Sequence, residues 1–300
     1  MEIENDRGLS DLLGARQETV LCGGFRFTEG AIWVPAGGFL LFSDIPGNTI
    51  FRWSPGETEA TPYRRPSRHA NGNTLDGEGR LLTCEHSGRQ VTVAAVDGPE
   101  RPLTERYDGM RYNSPNDIVV HSSGAVYFTD PSYGIIAAAR GMGEPGAVQE
   151  QPVQGVYRID TDGTVHRVLD HYTQPNGLCF SPDETFLYVN DSQERIINRY
   201  RVHPDGSLTD ETLFVDMRGD PRRGAPDGMK VDEDGRLWTT GAGGVWVVAA
   251  DGAALGQFET TEHAANLCFG GPDFRTLFLC TATSMSSIAT RVRGIGPGPG

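Results

Sequence analysis

A pattern of paired short strands recurs six times along this 300-residue chain. In each copy a polar residue opens an apolar strand, a turn of glycine or acidic residues follows about eight residues later, and a second apolar strand comes next. The copies are EGAIWVPAGGFLLFSD (29–44), NGNTLDGEGRLLTCEH (71–86), NDIVVHSSGAVYFTD (116–130), NGLCFSPDETFLYVND (176–191), DGMKVDEDGRLWTTG (227–241) and ANLCFGGPDFRTLFLC (265–280). The copies begin roughly 40 to 60 residues apart, a spacing typical of propeller blades.

A third strand-like run follows each pair, as in TIFRW (49–53), GVYRID (155–160), INRYRV (197–202) and GVWVV (244–248). Helical periodicity is absent after about residue 15, and 39 glycines with 19 prolines favour many tight turns. The sequence therefore predicts an all-β fold, a six-bladed β-propeller with four-stranded blades around a central channel. We expect one domain over 1–300, with an N-terminal extension (1–18) and a disordered tail (293–300). A strand around Thr19–Phe27 is expected to join the last blade and close the ring.

Charge and composition narrow the possible partners. The net charge of −14 disfavours nucleic-acid binding, which needs a basic face. No apolar run approaches the roughly 20 residues of a membrane span, and the acidic, polar N-terminus lacks a signal-peptide core, which favours the cytoplasm. Five cysteines form no CxxC pair and are predicted to be buried core residues without disulfides. Nothing in the sequence indicates the oligomeric state.

Most of the residues that open the repeats are acids or amides with side-chain oxygen atoms. In a propeller the innermost strands line the channel and begin at one rim. These residues are Glu29, Asn71, Asn116, Asn176 and Asp227, with Ala265 or Asn266 as the sixth. Asn and Asp favour turns, but Glu does not, and two carboxylates in one channel repel each other unless a cation or a proton intervenes. Such hard oxygen ligands predict one divalent metal, Ca²⁺ first, with Mg²⁺, Mn²⁺ or Zn²⁺ as alternatives; a purely structural ring is the competing interpretation.

Further polar residues lie near the predicted rim. His86 follows the second strand of blade 2, where it has either a channel role or a structural, hydrogen-bonded one. Three aspartates that end second strands (Asp44, Asp130, Asp191) are interpreted as turn residues or as groups supporting the ligands. The segment YGIIAAARGMGEPGAVQEQPVQ (133–154) is either a surface loop or a lid that presents Tyr133 or Arg140 to a ligand.

Six segments carry a family resemblance: FRFTEG (25–30), NGNTLDGEGRLLTCEHSGRQVT (71–92), NSPNDIVVHSSGAVYFTDPSYG (113–134), QPNGLCFSPDETFLYVNDS (174–192), PDGMKVDEDGRLW (226–238) and CFGGPDFRTLF (268–278). Through them the chain resembles the SMP-30/gluconolactonase/luciferin-regenerating-enzyme (LRE) family over nearly its whole length. The resemblance implies that Glu29, Asn176 and Asp227 hold the cation and that Asp227 is the candidate general base. It also implies that Asn116 binds substrate or a water beside the metal. Asn71, His86 and Tyr133 are the further expected substrate contacts.

Two positions depart from the family pattern. Ala31 stands where the family usually has proline. Ser114 stands where the animal members carry a sugar-binding arginine, whereas bacterial lactonase-like members often have Ser-Pro-Asn-Asp, as here. The change at Ser114 leaves the expected metal site intact and leaves the substrate's identity open.

The predicted function is metal-dependent opening of a lactone ring, with a sugar (aldono-1,4- or 1,5-) lactone such as gluconolactone as the favoured substrate. The metal would polarise the carbonyl while Asp227 serves as base and Asn116 orients the substrate. An aspartate beside a dication is a weak base, so a metal-bound hydroxide stays open as the alternative. Two other functions compete with this one: a calcium-dependent phosphotriesterase on the same scaffold, and a non-catalytic metal- or ligand-binding propeller.

Overall fold

Six antiparallel sheets form the blades of a β-propeller in the computed structural model, which describes residues 1–297. The chain starts with β1 (Ile3–Glu4), helix α1 (Leu9–Leu12) and β2 (Thr19–Gly23). Blade 1 comprises β3 (Thr28–Val34), β4 (Phe39–Asp44), β5 (Thr49–Trp53) and β6 (Thr61–Arg64). Blade 2 comprises β7 (Ala70–Leu75), β8 (Leu81–Glu85), β9 (Gln90–Ala94) and β10 (Arg101–Thr104), and a hairpin of β11 (Arg106–Tyr107) and β12 (Met110–Arg111) follows it.

The other blades repeat this order from the channel outwards. Blade 3 comprises β13 (Ile118–Val120), β14 (Val126–Asp130), β15 (Gln154–Ile159) and β16 (Val165–Tyr172), with helix α2 (Tyr133–Ile136) and a 3₁₀ turn (Ala138–Arg140) between β14 and β15. Blade 4 comprises β17 (Pro175–Phe180), β18 (Phe186–Asp191), β19 (Ile196–Val202) and β20 (Leu208–Asp216). Blade 5 comprises β21 (Met229–Val231), β22 (Leu237–Gly241), β23 (Gly244–Val248) and β24 (Ala254–Phe258), and blade 6 comprises β25 (Ala264–Gly270), β26 (Thr276–Thr281) and β27 (Ser284–Ala289). The predicted fold class is confirmed.

The hydrophobic core is divided among the six interfaces between neighbouring blades. Each of six apolar clusters joins side chains of two adjacent blades. Between blades 6 and 1, for example, Trp33 stacks on Phe278 with ring centroids 5.6 Å apart. Inner strands such as β3 and β7 are buried along their whole length because neighbouring blades cover both faces, whereas the outermost strands β6 and β20 are largely exposed.

The ring is closed by pairing the two ends of the chain. Strand β2 pairs with β27 in register Thr19↔Ser287, which makes it the outer strand of blade 6 and confirms the predicted closure. Strand β1 adds a fifth strand to blade 5 through β24, and Leu9 of α1 is fully buried against the same blade. In the expected tail, Gly294 forms a β-bridge with Asp232, and residues 298–300 lie outside the described residues.

Carboxylates at the ends of second strands fix the corners of the blades. Asp130 accepts hydrogen bonds from the backbone N–H groups of Asn113 and Ser114, both at 2.8 Å. Asp44 and Asp191 accept equivalent bonds from the segments that precede their own inner strands. All three aspartates therefore support the segments that lead into ring residues, and Asp44 and Asp191 also accept backbone bonds from the turns that follow them.

The remaining composition-based expectations concern cysteines and membranes. All five cysteines are buried and unpaired, as predicted. Within residues 1–297, no helix has the length and apolar character needed to cross a membrane.

Candidate active site

The residues that open the inner strands meet in one cavity at the mouth of the channel. Its volume is about 390 Å³, within the range of small-molecule sites. All seven candidate residues named from the sequence line it: Glu29, Asn71, His86, Asn116, Tyr133, Asn176 and Asp227. Arg140, the other candidate from the 133–154 segment, is exposed and does not line it.

Glycines directly after the ring residues let neighbouring inner strands approach closely. The backbone N–H of Gly72 donates to Asn116 O (2.7 Å), and that of Gly228 donates to Ala265 O (2.8 Å). A Cβ atom on Gly177 would lie 2.0 Å from Asp227 O, and one on Gly30, where φ is +56°, would lie 1.9 Å from Asn71 O. A larger residue at these positions would push apart the strands that bring the ring residues together.

Glu29 is oriented by the sixth blade. Its Oε2 accepts a hydrogen bond from Asn266 Nδ2 (2.7 Å) and another from the backbone N–H of Gly30 (2.9 Å). Asn266 Oδ1 in turn accepts from Leu267 N (2.8 Å), which fixes the direction of the amide. The sixth ring position is Ala265, which accepts from Gly228 as Asn116 does from Gly72, and the residue after it, Asn266, positions a ring carboxylate.

Several oxygen atoms in the cavity are left without partners. Asn71 Oδ1 and Asp227 Oδ1 are buried and accept no hydrogen bond from the described residues. The Asn176 amide donates through Nδ2 to Ser192 Oγ (3.0 Å), so its carbonyl oxygen is available as an acceptor. Buried oxygens without donors are costly, and a hard cation satisfies several of them at once.

The electrostatic environment of the ring residues also favours a bound cation. Burial raises the pKa of Glu29 and of Asp227, and their mutual repulsion raises the pKa of Asp227 further. Among the described residues, the cavity lining includes no Arg or Lys to offset this charge. The set of Glu29, Asp227 and the Asn176 carbonyl thus fits a divalent cation with oxygen ligands.

His86 links the ring to the 133–154 segment. Its Nδ1 lies 2.7 Å from Met142 O, and its Nε2 lies 3.2 Å from Asn71 Nδ2. A carbonyl only accepts, so Nδ1 carries the proton and Nε2 accepts from Asn71. Burial lowers the pKa of His86 to about 4, so the ring stays neutral at physiological pH. His86 is therefore a hydrogen-bonded histidine, as one of the two interpretations has it, and it also lines the cavity.

The 133–154 segment forms one wall of the cavity. Tyr133, Ile136 and Met142 from this segment line it, and Ile136 is 64% exposed at the mouth. Burial raises the pKa of Tyr133, which stays protonated and able to donate. The segment therefore covers part of the site.

Comparison with known proteins agrees with this geometry. The model of the SMP-30/gluconolactonase/LRE-like region matches residues 27–283, which include every ring position. The chain belongs to this family. A gluconolactonase of Zymomonas mobilis is 32% identical, over 92% of this chain and 82% of that protein. Pentonolactonase XacC of Haloferax volcanii is 31% identical, over 86% and 82% of the two chains. The structure of a gluconolactonase from Xanthomonas campestris superposes with a TM-score of 0.86 at 34% identity, covering 94% of this chain and 92% of that one.

Ser114, one of the two departures from the family pattern, has a structural role. The Ser114 hydroxyl donates to Pro131 O (2.6 Å) and accepts from the backbone N–H of Gly134 (2.9 Å). It is completely buried, so it anchors the first turn of α2 and the adjacent Tyr133. Ala31, the other departure, is packed in the cluster between blades 6 and 1.

Other residues that line the cavity are not among the candidates from the sequence, although their positions within the repeat predict them. Four of them lie two residues before a ring position: Phe27, Gln174, Ala225 and His263. Two more follow the end of a second strand, as His86 does: Ile45 and Ser192. Equivalent positions in different blades lie at the same height on the channel, so both offsets predict lining residues once one member is known.

Proposed function

We propose that this protein is a sugar lactonase that uses one divalent cation, Ca²⁺ by preference, held by Glu29, Asn176 and Asp227. The observation that carries the proposal is the pair of carboxylates that share one cavity with no Arg or Lys among its described lining residues, together with the buried, unpartnered Asp227 Oδ1. Ca²⁺ is preferred because it accepts mixed carboxylate and amide oxygens in loose geometry.

The cation supplies one kind of chemistry when bound: it draws electron density from the lactone carbonyl and stabilises the negative charge that develops on that oxygen. Asp227 takes a proton from the attacking water as the water oxygen bonds to the carbonyl carbon. The ring C–O bond then breaks, and the same proton passes to the leaving alkoxide, which gives the hydroxy acid. Asn116 and Tyr133 border the cavity as hydrogen-bonding groups that hold the substrate ring in place.

The substrate class is supported by the relatives and by the lining. The two relatives described above are named for gluconolactone and pentonolactone hydrolysis. The lining includes five side-chain amides and two hydroxyl groups, and Asn71 Oδ1 is a buried acceptor without a donor among the described residues. A polyhydroxylated ring would provide hydroxyl donors to these acceptors, which an unsubstituted lactone lacks.

The reaction is tested by following acid release on glucono-, xylono- and arabinonolactone, with γ-butyrolactone and an aryl phosphotriester as comparisons. Each substrate is assayed after EDTA treatment and after adding back Ca²⁺, Mg²⁺, Mn²⁺ or Zn²⁺. We expect metal-dependent turnover of a sugar lactone. Turnover of the phosphotriester alone would contradict the proposal, and so would Ca²⁺ binding without hydrolysis of any substrate.

The role of Asp227 is separable from metal binding in Asp227→Asn. We expect weakened but measurable Ca²⁺ binding by calorimetry and loss of turnover, because an amide oxygen still coordinates but no longer accepts a proton. Loss of both would leave Asp227 as a ligand only. The exposed Asp216, on the outer strand β20, provides the control Asp216→Asn.

A further inference from the structure

A second layer of the channel lies directly behind the ring residues and contains one carboxylate. The residues that follow the ring positions are Gly30, Gly72, Asp117, Gly177, Gly228 and Asn266. Asp117 is buried, its Oδ1 accepts from the backbone N–H of Ile118 (2.9 Å), and its Oδ2 has no partner among the described residues. A Cβ on Gly72 would lie 2.9 Å from Asp117 Oδ1, so this carboxylate is pressed against the inner strand of blade 2.

One ammonium group lies deeper in the same channel. Lys230 is the only lysine in a chain with 26 basic residues, and it is on the inner strand β21. Met229 and Val231 on either side are buried between blades 4 and 5, while Lys230 is half-buried and lines the far end of the channel beside Cys179 and Cys268. Its Nζ donates to Met229 O (3.0 Å), and no carboxylate of the described residues lies within 4 Å of it.

The positive charge of Lys230 affects the pKa values of carboxylates nearer the channel mouth. Burial raises the pKa of Asp117 and of Glu29, and the positive charge of Lys230 opposes the rise at both groups. The Asp117 charge in turn raises the pKa of Asp227. Lys230 therefore lies in the channel without an ion-pair partner among the described residues, in a medium where charges interact over longer distances than at the surface.

We infer that Asp117 and Lys230 form a charge-balancing pair beneath the metal site, so that the channel as a whole matches a single divalent ion. Three carboxylates in the channel (the buried Glu29 and Asp117, and the half-buried Asp227) and one ammonium leave two negative charges, which one dication neutralises. Without Lys230 the channel would have three negative charges and would favour a trivalent ion. Without Asp117 the channel would have a net charge of one negative unit. This inference rests on the metal site of the proposed function and adds residues that set its charge selectivity.

The test compares the affinities for Ca²⁺ and Tb³⁺, ions of similar size and coordination but different charge. The variants are Lys230→Met, Asp117→Asn and the double variant, with Lys230→Arg as the charge-preserving control. Tb³⁺ affinity is measured by luminescence and Ca²⁺ affinity by displacement of Tb³⁺. The ratio of the two is the readout, because a partial folding defect or proton competition affects both ions alike.

Removing a unit charge from the channel changes the binding of a trivalent ion more than that of a divalent ion. We expect Lys230→Met to raise the Tb³⁺ preference by about tenfold and Asp117→Asn to lower it by about as much. The double variant restores the net charge, so its ratio should return to within about threefold of wild type, as should that of Lys230→Arg.

Two outcomes would overturn the inference while leaving the proposed function standing: unchanged ratios in both single variants, or single-variant shifts that do not cancel in the double variant. A wild-type protein that binds neither ion would overturn this inference and the metal site together. In that case the lactone assay on the EDTA-treated protein decides separately whether hydrolysis persists.

Discussion

Gly177→Ala tests whether close approach of blades 4 and 5 builds the site. Gly177 follows the ring residue Asn176 and has an ordinary φ, so alanine adds no backbone strain of its own. Its new Cβ would lie 2.0 Å from Asp227 O and 3.0 Å from Asn190 Nδ2. That carbonyl is the acceptor for Asn190 Nδ2 (2.5 Å), so the substitution also displaces a buried hydrogen bond.

The size of the effect follows from the overlap. Ordinary van der Waals contact begins at 3.4 Å, so the two strands must separate by about 1.4 Å at Asp227. A misplacement of about 1 Å in a catalytic group costs on the order of 100-fold in rate. Forcing a methyl group into a packed position costs about 1–3 kcal/mol, which for a chain of this size lowers the Tm by roughly 2–6 °C.

The assay measures lactone turnover, Ca²⁺ affinity and Tm for Gly177→Ala beside Gly219→Ala. Gly219 also has an ordinary φ, and a Cβ there would meet nothing within 4 Å, so it reports the effect of the alanine methyl alone. We expect all three quantities to fall in Gly177→Ala and to stay at wild-type values in Gly219→Ala. If the two variants behaved alike, close contact at Gly177 would not be what positions Asp227.

Two further predictions concern the carboxylates of the ring. Asn266→Ala removes the donor to Glu29 Oε2 and should weaken Ca²⁺ binding by about tenfold, as measured by calorimetry. The control Asn198→Ala, on the third strand of blade 4, should leave Ca²⁺ affinity unchanged. Equal affinities in the two variants would contradict the orienting role of Asn266. In the metal-free protein the raised pKa values of Glu29 (about 7) and Asp227 mean that the folded state holds more protons than the unfolded state, so its stability falls as pH rises through 7. Ca²⁺ displaces these protons, so the rise in Tm on adding Ca²⁺ should be larger at pH 8 than at pH 6, and a rise independent of pH would contradict this coupling.

Much of the fold could be predicted because the propeller repeats one local pattern. The position that opens each copy, such as Glu29 or Asp227, is recognisable from the apolar strand and turn that follow it. Equivalent positions in a closed ring must lie at one rim, so the sequence placed these residues in one cavity without any long-range information. The lining residues Phe27 and Gln174 each lie two residues before a ring position, so equivalent positions in the closed ring also place them in the cavity.

The rest depends on contacts between distant segments. Asn266 meets Glu29 from 237 positions away, and the uncertain alignment of the sixth repeat hid the pairing. The contact of His86 with Met142 depends on how a non-repeating segment folds back across the mouth. Strand β1 has only two residues, too few for a periodic pattern, so its addition to blade 5 had no signal.

The pairing of β2 with β27 also sets the order in which the protein can be completed during synthesis. β2 precedes every inner strand in the chain, but its partner, Ser284–Ala289, follows all of them. Blades 1 to 5 can each pair their own consecutive strands as they appear, whereas blade 6 cannot bind β2 until Ser284–Ala289 has been made. Glu29 and Asn266 lie on the two sides of that seam, so the proposed metal site takes shape only when the ring closes. A chain released before residue 284 would contain every proposed ligand and still lack the strand that joins β2 to blade 6.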